Sequence, residues 1–183
     1  MVLFVNCCPR DNSRTELLAK KLLDTLGGYE EVNPEKEGLV PIDNERLNYR
    51  TMLLEKGDLS DEIFKYAKQF AAADTIVIAA PFWDLSFPSI LKIYIENIYV
   101  TGIVSEYDEN GTPKGLCKAK KLYYVTTAGG AFDGRFSFDY LKELGESYFG
   151  IKETVLINAE MLDIIGNDPE KILEECVKSY QLG

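Results

Sequence analysis

Short apolar runs alternate with amphipathic stretches along this chain. Residues 75–80 form a near-continuous apolar run of the kind that makes a buried parallel strand. Residues 13–26 instead carry apolar positions at helical spacing and end at Gly27-Gly28. The pattern predicts strands at residues 2–6, 29–33, 75–80, 122–127 and 154–158, and helices at residues 13–26, 45–56, 59–72, 88–100, 138–148 and 169–180.

Strands that alternate with helices favour the α/β class, with a doubly wound parallel sheet. We expect five strands in the flavodoxin-like order 2-1-3-4-5, helices on both faces, and one domain over residues 1–183. Ser60 is expected to cap the helix at 59–72. Residues 101–120 are rich in turn formers and read as an excursion with a hairpin that turns at Asn110-Gly111.

Charge and composition exclude several classes of function. The net charge is −10, and no cluster of Lys and Arg is available for a nucleic-acid backbone, so we expect no nucleic-acid partner. No apolar stretch is long enough to cross a bilayer, and the start MVLFVN lacks the basic region of a signal peptide. A cytoplasmic protein is therefore expected.

Cysteine spacing and the lack of histidine limit the chemistry further. Cys7, Cys8, Cys117 and Cys176 have neither zinc nor iron–sulfur spacing, and the chain contains no histidine. We expect no metal site, no histidine-based triad, and buried, reduced thiols at Cys7 and Cys8.

Three unusual loops follow the first, third and fourth predicted strands. They are CCPRDNSRT at 7–15, PFWDLSFPS at 81–89 and AGGAFDGR at 128–135. In a doubly wound sheet, ligands bind outside the carboxyl ends of the strands, where the strand order reverses. We therefore expect these three loops to meet at one site.

The first loop carries hydroxyl and cationic side chains where a helix begins. Ser13, Thr15, Arg10 and Arg14 could hold a phosphate there, since a helix start offers free N–H groups and a positive dipole end. An ordinary N-cap is the alternative for Ser13, because Glu16 follows it at the spacing of a capping box. The glycine patterns of dinucleotide-binding folds and of P-loops are missing.

The other two loops supply aromatic surface and bare backbone. Phe82, Trp83, Leu85 and Phe87 lie too close in sequence to share one helix face, so some must line a cavity or an interface. Gly129-Gly130 would let backbone approach a flat ligand. Together the three loops offer a phosphate site, an aromatic wall and a glycine backbone that a flat ring can approach. These features match flavin mononucleotide (FMN), which has a terminal phosphate, a ribityl chain and a flat isoalloxazine ring.

Two longer stretches also resemble a known family. APFWDLSFPSILKIYIENI and EYDENGTPKGLCKAKKLYYVTTAGG are similar to the flavodoxin-like NAD(P)H dehydrogenase (quinone) family, which includes FMN-dependent NADH-azoreductases. The early P-R-x-x-S-R-T resembles the family's phosphate loop. The match spans most of residues 3 to 134, with these residues in register: Pro9, Arg10, Ser13, Thr15, Pro81, Trp83, Pro88, Leu91, Lys92, Tyr107, Gly111, Gly115, Leu116, Lys120, Lys121, Gly129 and Gly130.

The resemblance implies a cytosolic homodimer that binds FMN near its interface. It would pass a hydride from NAD(P)H through the flavin to a quinone, azo dye or similar acceptor, so no protein residue is expected to act as catalytic acid or base. Loops and resemblance together predict these FMN-binding residues: Pro9, Arg10, Ser13, Arg14, Thr15, Pro81, Phe82, Trp83, Asp84, Leu85, Thr127, Ala128, Gly129 and Gly130. Phe87 and Phe132 are the expected acceptor pocket.

Three positions depart from the family pattern. Asp84 stands where the family usually has Asn, Ser105 where it has Phe, and Ala128 where it often has a polar residue. A carboxylate at position 84 would oppose negative charge on the reduced ring, so we expect it to lower the flavin potential.

Two other functions remain open at this stage. A flavodoxin-like electron carrier or an NAD(P)H-dependent FMN reductase would use the same fold, although CCPRDNSRT is unlike the usual flavodoxin phosphate loop. A signalling receiver domain would need an aspartate at the end of the first strand, where this chain has Asn6.

Overall fold

The computed structural model describes residues 1–181 and centres on a five-stranded parallel sheet. The strands are β1 Val2–Asn6, β2 Tyr29–Val32, β3 Thr75–Ala79, β6 Lys121–Thr127 and β7 Glu153–Ala159, in the order β2-β1-β3-β6-β7. Because β6 and β7 are the fourth and fifth strands of this sheet along the chain, this is the predicted order 2-1-3-4-5. The fold prediction is confirmed. The apolar run at 75–80 forms the middle strand, as its composition requires.

Alternate side chains of each strand enter two separate cores. In β3, Ile76 and Ile78 pack on one side of the sheet, while Val77 and Ala79 pack on the other. Phe4 of β1 joins the second core. Because both faces are covered, the central strands are apolar at most positions.

Within residues 1–181, six α-helices cover the sheet. They are α1 Arg14–Leu26, α2 Asn44–Glu55, α3 Lys65–Ala72, α4 Ser89–Ile98, α5 Phe138–Glu143 and α6 Pro169–Gln181. A π-helical segment, Leu144–Tyr148, follows α5 and completes the helix predicted at 138–148. Within the described residues, no helix is both long enough and apolar enough to cross a membrane.

The predicted start of the helix at 59–72 is wrong. Ser60 does not cap it, because its N–H and its hydroxyl both donate to Asp58 Oδ1, at 3.0 and 2.7 Å. A single 3₁₀ turn at Glu62–Phe64 intervenes, and its cap is Asp61, whose carboxylate accepts from the N–H of Ile63. Asp58 thus engages the Ser60 side chain, Asp61 accepts from the first free N–H, and the α-helix begins only at Lys65.

The excursion at 101–120 contains the predicted hairpin. β4 Ser105–Tyr107 pairs antiparallel with β5 Pro113–Gly115. The connection contains Asn110-Gly111, but it is held by Asp108 Oδ1, which accepts from the N–H groups of Asn110 and Thr112 at 2.8 Å each. An aspartate that bonds its own backbone in this way stabilises a turn without help from the strands.

Gly115 is the point where this hairpin meets the main body. A Cβ at position 115 would overlap the backbone of Phe149 and Gly150. Nearby, the N–H of Cys117 donates to the carbonyl of Phe149 at 3.2 Å. The hairpin therefore docks by backbone contact, for which only glycine leaves room.

We expect Gly115→Ala to lower the free energy of unfolding by about 1–3 kcal/mol, since overlapping backbone has to move. Gly28→Ala is the matched control, because a Cβ at exposed Gly28 meets nothing within 4 Å. The control should stay within about 0.5 kcal/mol of the parent. Urea unfolding measures the free energy of unfolding of both variants. Equal losses would contradict the conclusion that the hairpin docks by backbone contact at Gly115.

Candidate functional site

The three predicted loops meet at the carboxyl ends of β1, β3 and β6. They enclose a cavity of about 450 Å³. Most of its lining was predicted from the sequence: Pro9, Arg10, Ser13, Arg14, Thr15, Pro81, Phe82, Trp83, Thr127, Ala128 and Gly129. Four lining residues were not predicted: Asp11, Asn12, Leu162 and Asp163. Asp84, Leu85 and Gly130 belong to these loops but do not line the cavity.

A groove of about 580 Å³ lies at the opposite end of the strands, beside Lys121 and Glu153. It contains none of the predicted site residues. The smaller cavity is the better candidate, because it lies at the carboxyl edge where doubly wound sheets bind ligands and because its polar groups converge.

Backbone hydrogen bonds position the three loops relative to one another. The N–H of Cys7 donates to the carbonyl of Ala79 at 2.8 Å, and that of Phe82 donates to the carbonyl of Thr127 at 3.0 Å. In each bond the donor lies past the end of its own strand, and the acceptor is the last residue of the neighbouring strand. The sheet ladder thus continues into the loops and sets their spacing.

The first turn of α1 forms one wall of the cavity. Ser13 is the N-cap, and its hydroxyl oxygen accepts from the N–H of Glu16 at 3.4 Å. The first helical bond runs from the N–H of Leu17 to the carbonyl of Ser13. The N–H groups of Arg14 and Thr15 therefore lie in the turn whose donors have no helical partner. The capping and anion-binding hypotheses for Ser13 are compatible, since the capping oxygen can still donate its own proton.

Thr15 and Thr127 join the first loop to the third. Their hydroxyl oxygens lie 2.6 Å apart, and the two residues are 1% and 8% exposed. A buried hydroxyl pair of this kind satisfies two polar groups that would otherwise be costly. It also holds the start of α1 against the end of β6.

The second of the three loops, residues 81–89, is the aromatic loop. It contains a tight turn, and its aromatic side chains lie on different sides. Trp83 and Ser86 exchange two backbone hydrogen bonds, of 3.1 and 2.8 Å, across Asp84 and Leu85. The φ angles of Asp84 and Leu85 are +50° and +66°, the left-handed geometry of a two-residue hairpin turn. Leucine adopts this geometry rarely, so the turn is strained at a residue that is 59% exposed.

Trp83 lines the cavity beside Arg10. The Arg10 guanidinium lies over its indole, with Cζ 5.5 Å from the ring centroid. The cation links the first loop to the second and covers one face of the indole. Phe82 also lines the cavity, and its ring packs edge-on against Phe132, at 5.0 Å between centroids.

The two residues expected to form an acceptor pocket have different neighbours. Phe132 packs on Phe82, while Phe87 faces a separate groove of about 620 Å³ with Phe136 and Tyr140. Ser105, one of the departures from the family pattern, is fully buried in β4 and does not line the cavity. Ala128, another departure, does line it.

A fourth loop, after β7, completes the cavity. The N–H groups of Leu162 and Asp163 donate to the carbonyls of Ala128 and Gly129, at 3.2 and 2.9 Å. Asp163 also pairs with Arg14, at 2.9 Å between Oδ1 and the guanidinium. The sequence analysis missed Leu162 and Asp163 because it considered only three exit loops. Their position after the fifth strand, at the same sheet edge, was the available signal.

The two cysteines at the start of the first loop are buried free thiols, as predicted. Cys7 and Cys8 are buried, and burial raises the pKa of Cys7 well above its usual value and that of Cys8 to about 12. Both thiols therefore stay protonated at neutral pH and are poor nucleophiles. The described residues contain no cluster of cysteine and acidic side chains able to hold a metal ion.

We expect a double-mutant cycle to detect the Thr15–Thr127 pair. Thr127→Val leaves the Thr15 hydroxyl buried without a partner, and Thr15→Val does the converse, so each should cost about 1–3 kcal/mol of unfolding free energy. The double variant should cost less than the sum of the two, because no hydroxyl is then left unpaired. Urea unfolding of the flavin-free protein measures the cycle, and strictly additive losses would rule out the pair.

Comparison with known proteins places the chain in a family. Residues 1–182 match the family described as flavodoxin-like fold. An FMN-dependent NADH:quinone oxidoreductase of Coprothermobacter proteolyticus is 36% identical over 98% of this chain and 96% of its own length. A Clostridium beijerinckii protein of the same name is 36% identical over 94% of this chain and 90% of its own length.

Solved structures agree on the fold. The FMN complex of an FMN-dependent NADH-azoreductase from Bacillus anthracis superposes with a TM-score of 0.81, over 99% of this chain and 96% of that one, at 22% identity. The chain therefore belongs to the flavodoxin-like fold family, together with these FMN-dependent NADH:quinone oxidoreductases.

Proposed function

We propose that this chain is an FMN-dependent oxidoreductase that passes a hydride from NAD(P)H to FMN and on to a quinone, azo compound or similar small acceptor. One observation carries the proposal. In a chain related over nearly its whole length to FMN-dependent NADH:quinone oxidoreductases, a helix start, a tryptophan wall and a glycine-containing loop line one cavity.

The donor set fits the phosphate end of FMN. The first turn of α1 offers backbone N–H groups, the Ser13 hydroxyl and the Arg14 guanidinium in one place. Such a helix start attracts anions through its dipole and its free donors. In a protein of net charge −10, a dianionic phosphate needs a local group of donors that offsets the repulsion by the rest of the chain.

The remaining walls fit a flat ring. Pro81, Phe82 and Trp83 form the apolar side, while Ala128 and Gly129 present backbone on another side. The volume of about 450 Å³ is within the range of small-molecule sites. Bound FMN would supply the hydride and electron chemistry, and the chain would contribute binding, orientation and exclusion of water.

The residues around the turn support a homodimer. Leu85 and Phe136 are exposed large apolar side chains, at 59% and 55%, and lie on loops joined by the bond from the Ser86 hydroxyl to the carbonyl of Phe136. A second copy of the chain would bury this apolar surface beside the site, which is where the family resemblance implies a dimer interface. Sedimentation of the purified protein as a monomer would contradict this part of the proposal.

We also propose that residues 1–183 act as one domain in the cytoplasm. The five-stranded sheet, packed between two hydrophobic cores, supports the first point. Cys7, Cys8 and Cys117 form no disulfide, which supports the second, because reduced thiols are typical of that compartment.

The primary test is spectroscopic. We expect the purified protein, alone or after addition of FMN, to show the visible bands of bound oxidised flavin. NADH added without oxygen should bleach them, and a quinone should restore them. A flavin spectrum that NADH leaves unchanged would favour the electron carrier, while a protein that binds no FMN would overturn the proposal.

Asp84 provides a second test. Asparagine adopts left-handed φ angles as readily as aspartate, so Asp84→Asn should keep the turn while it removes the charge. We expect the flavin midpoint potential to rise by about 20–50 mV, because a nearby carboxylate opposes negative charge on the reduced ring. Asp24→Asn, at the far end of α1, removes the same charge from a remote position and should leave the potential unchanged. Equal midpoints for Asp84→Asn and the parent in a redox titration would contradict the expected role.

A further inference from the structure

Asp163 brings a negative charge into a cavity that is proposed to bind a phosphate. It follows β7 and lines the cavity together with Arg10, Arg14 and the start of α1. An acidic side chain there is unexpected, because it repels the anion that the neighbouring groups attract. The inference below rests on the proposed binding of FMN.

Both carboxylate oxygens of Asp163 have definite surroundings. Oδ1 accepts from the Arg14 guanidinium at 2.9 Å. Oδ2 occupies the space that a Cβ at position 129 would need, so the carboxylate packs against the backbone of Gly129. The Asp163 side chain thus contacts the third loop at Gly129 and the first turn of α1 at Arg14.

The backbone holds Asp163 in this position. Its N–H donates to the carbonyl of Gly129 at 2.9 Å, and the N–H of the preceding Leu162 donates to that of Ala128. Replacement of Asp163 by another polar residue leaves these bonds in place. Its effect can therefore be assigned to the carboxylate.

The Arg14–Asp163 ion pair is open to exchange. The two side chains are 44% and 66% exposed, and ion pairs of this exposure contribute little net stability. A phosphate carries more negative charge than a carboxylate and forms charge-assisted bonds with a guanidinium. It can therefore compete with Asp163 for Arg14.

Other acids near α1 are engaged elsewhere or distant from this cation. Glu16 pairs with Lys20 at 2.6 Å along the helix. Asp11 lines the same cavity, but the described residues include no ion pair between Asp11 and Arg14. Asp163 is thus the acid that is bonded to Arg14.

We propose that Asp163 is a specificity-determining residue of the flavin site. Its carboxylate holds Arg14 in the flavin-free chain, and the FMN phosphate must displace it and remain beside it. Asp163 therefore weakens binding of phosphate-bearing flavin and leaves binding of riboflavin, which has no phosphate, unaffected.

Titration of flavin-free, full-length protein with FMN and with riboflavin tests this inference. Trp83 is the single tryptophan, so quenching of its emission reports flavin binding at the cavity it lines. We expect Asp163→Asn to bind FMN about tenfold more tightly than the parent and riboflavin within about twofold of it. Added salt should weaken FMN binding more steeply in this variant, because attraction by Arg14 is then no longer offset by the carboxylate.

Two further variants complete the design. Asp163→Glu keeps the charge and should bind FMN like the parent. Asp24→Asn removes one charge at the far end of α1 and should change neither affinity. Unfolding midpoints close to that of the parent verify that all variants are folded.

The outcomes separate the inference from the function. FMN affinity that is unchanged or reduced in Asp163→Asn, with normal binding by the parent, overturns the inference and leaves the proposed function standing. Equal tightening for FMN and riboflavin also overturns it, because the phosphate would then not be involved. Failure of the parent to bind any FMN overturns both.

Discussion

The candidate site depends on a parallel hydrogen-bond ladder that continues past the ends of its strands. Bonds from Cys7 to Ala79, from Phe82 to Thr127 and from Ala128 to Ala159 join four exit loops to one another. Apolar contacts such as that of Phe82 with Phe132 add to these bonds, while the ladder fixes how the loop backbones lie relative to one another. Because the bonds run from one central sheet, the cavity has the rigidity of the core beneath it.

Electrostatics at this edge differ from those of the protein as a whole. The chain is strongly acidic, yet Arg10 and Arg14 both lie at the cavity, each with a defined partner. Arg10 covers the indole of Trp83, and Arg14 bonds Asp163. A local pair of cations can attract an anion that the net charge repels, while their partners limit how strongly they hold it.

The aromatic loop illustrates how local strain supports a binding surface. Asp84 and Leu85 adopt left-handed backbone angles that most residues avoid, and the two bonds between Trp83 and Ser86 hold them there. The turn leaves Leu85 exposed and brings Trp83 to the cavity. Strained turns of this kind are maintained where the surrounding structure fixes them, commonly at functional sites.

Local patterns in the chain were enough to predict the strands and three of the loops, because a strand buried on both faces is mostly apolar. The strand order came from the fold class that alternating strands and helices favour, in which the strand ends share one edge. Motifs within single loops likewise identified Ser13, Trp83 and Gly129. Contacts between distant segments had no such pattern. Arg14 and Asp163 are 149 residues apart, and an aspartate in a polar stretch looks the same whether it faces solvent or a cation. Only the packing of β7 beside β6 decides that Asp163 enters the cavity, since backbone pairing, not side-chain composition, sets where that loop lies.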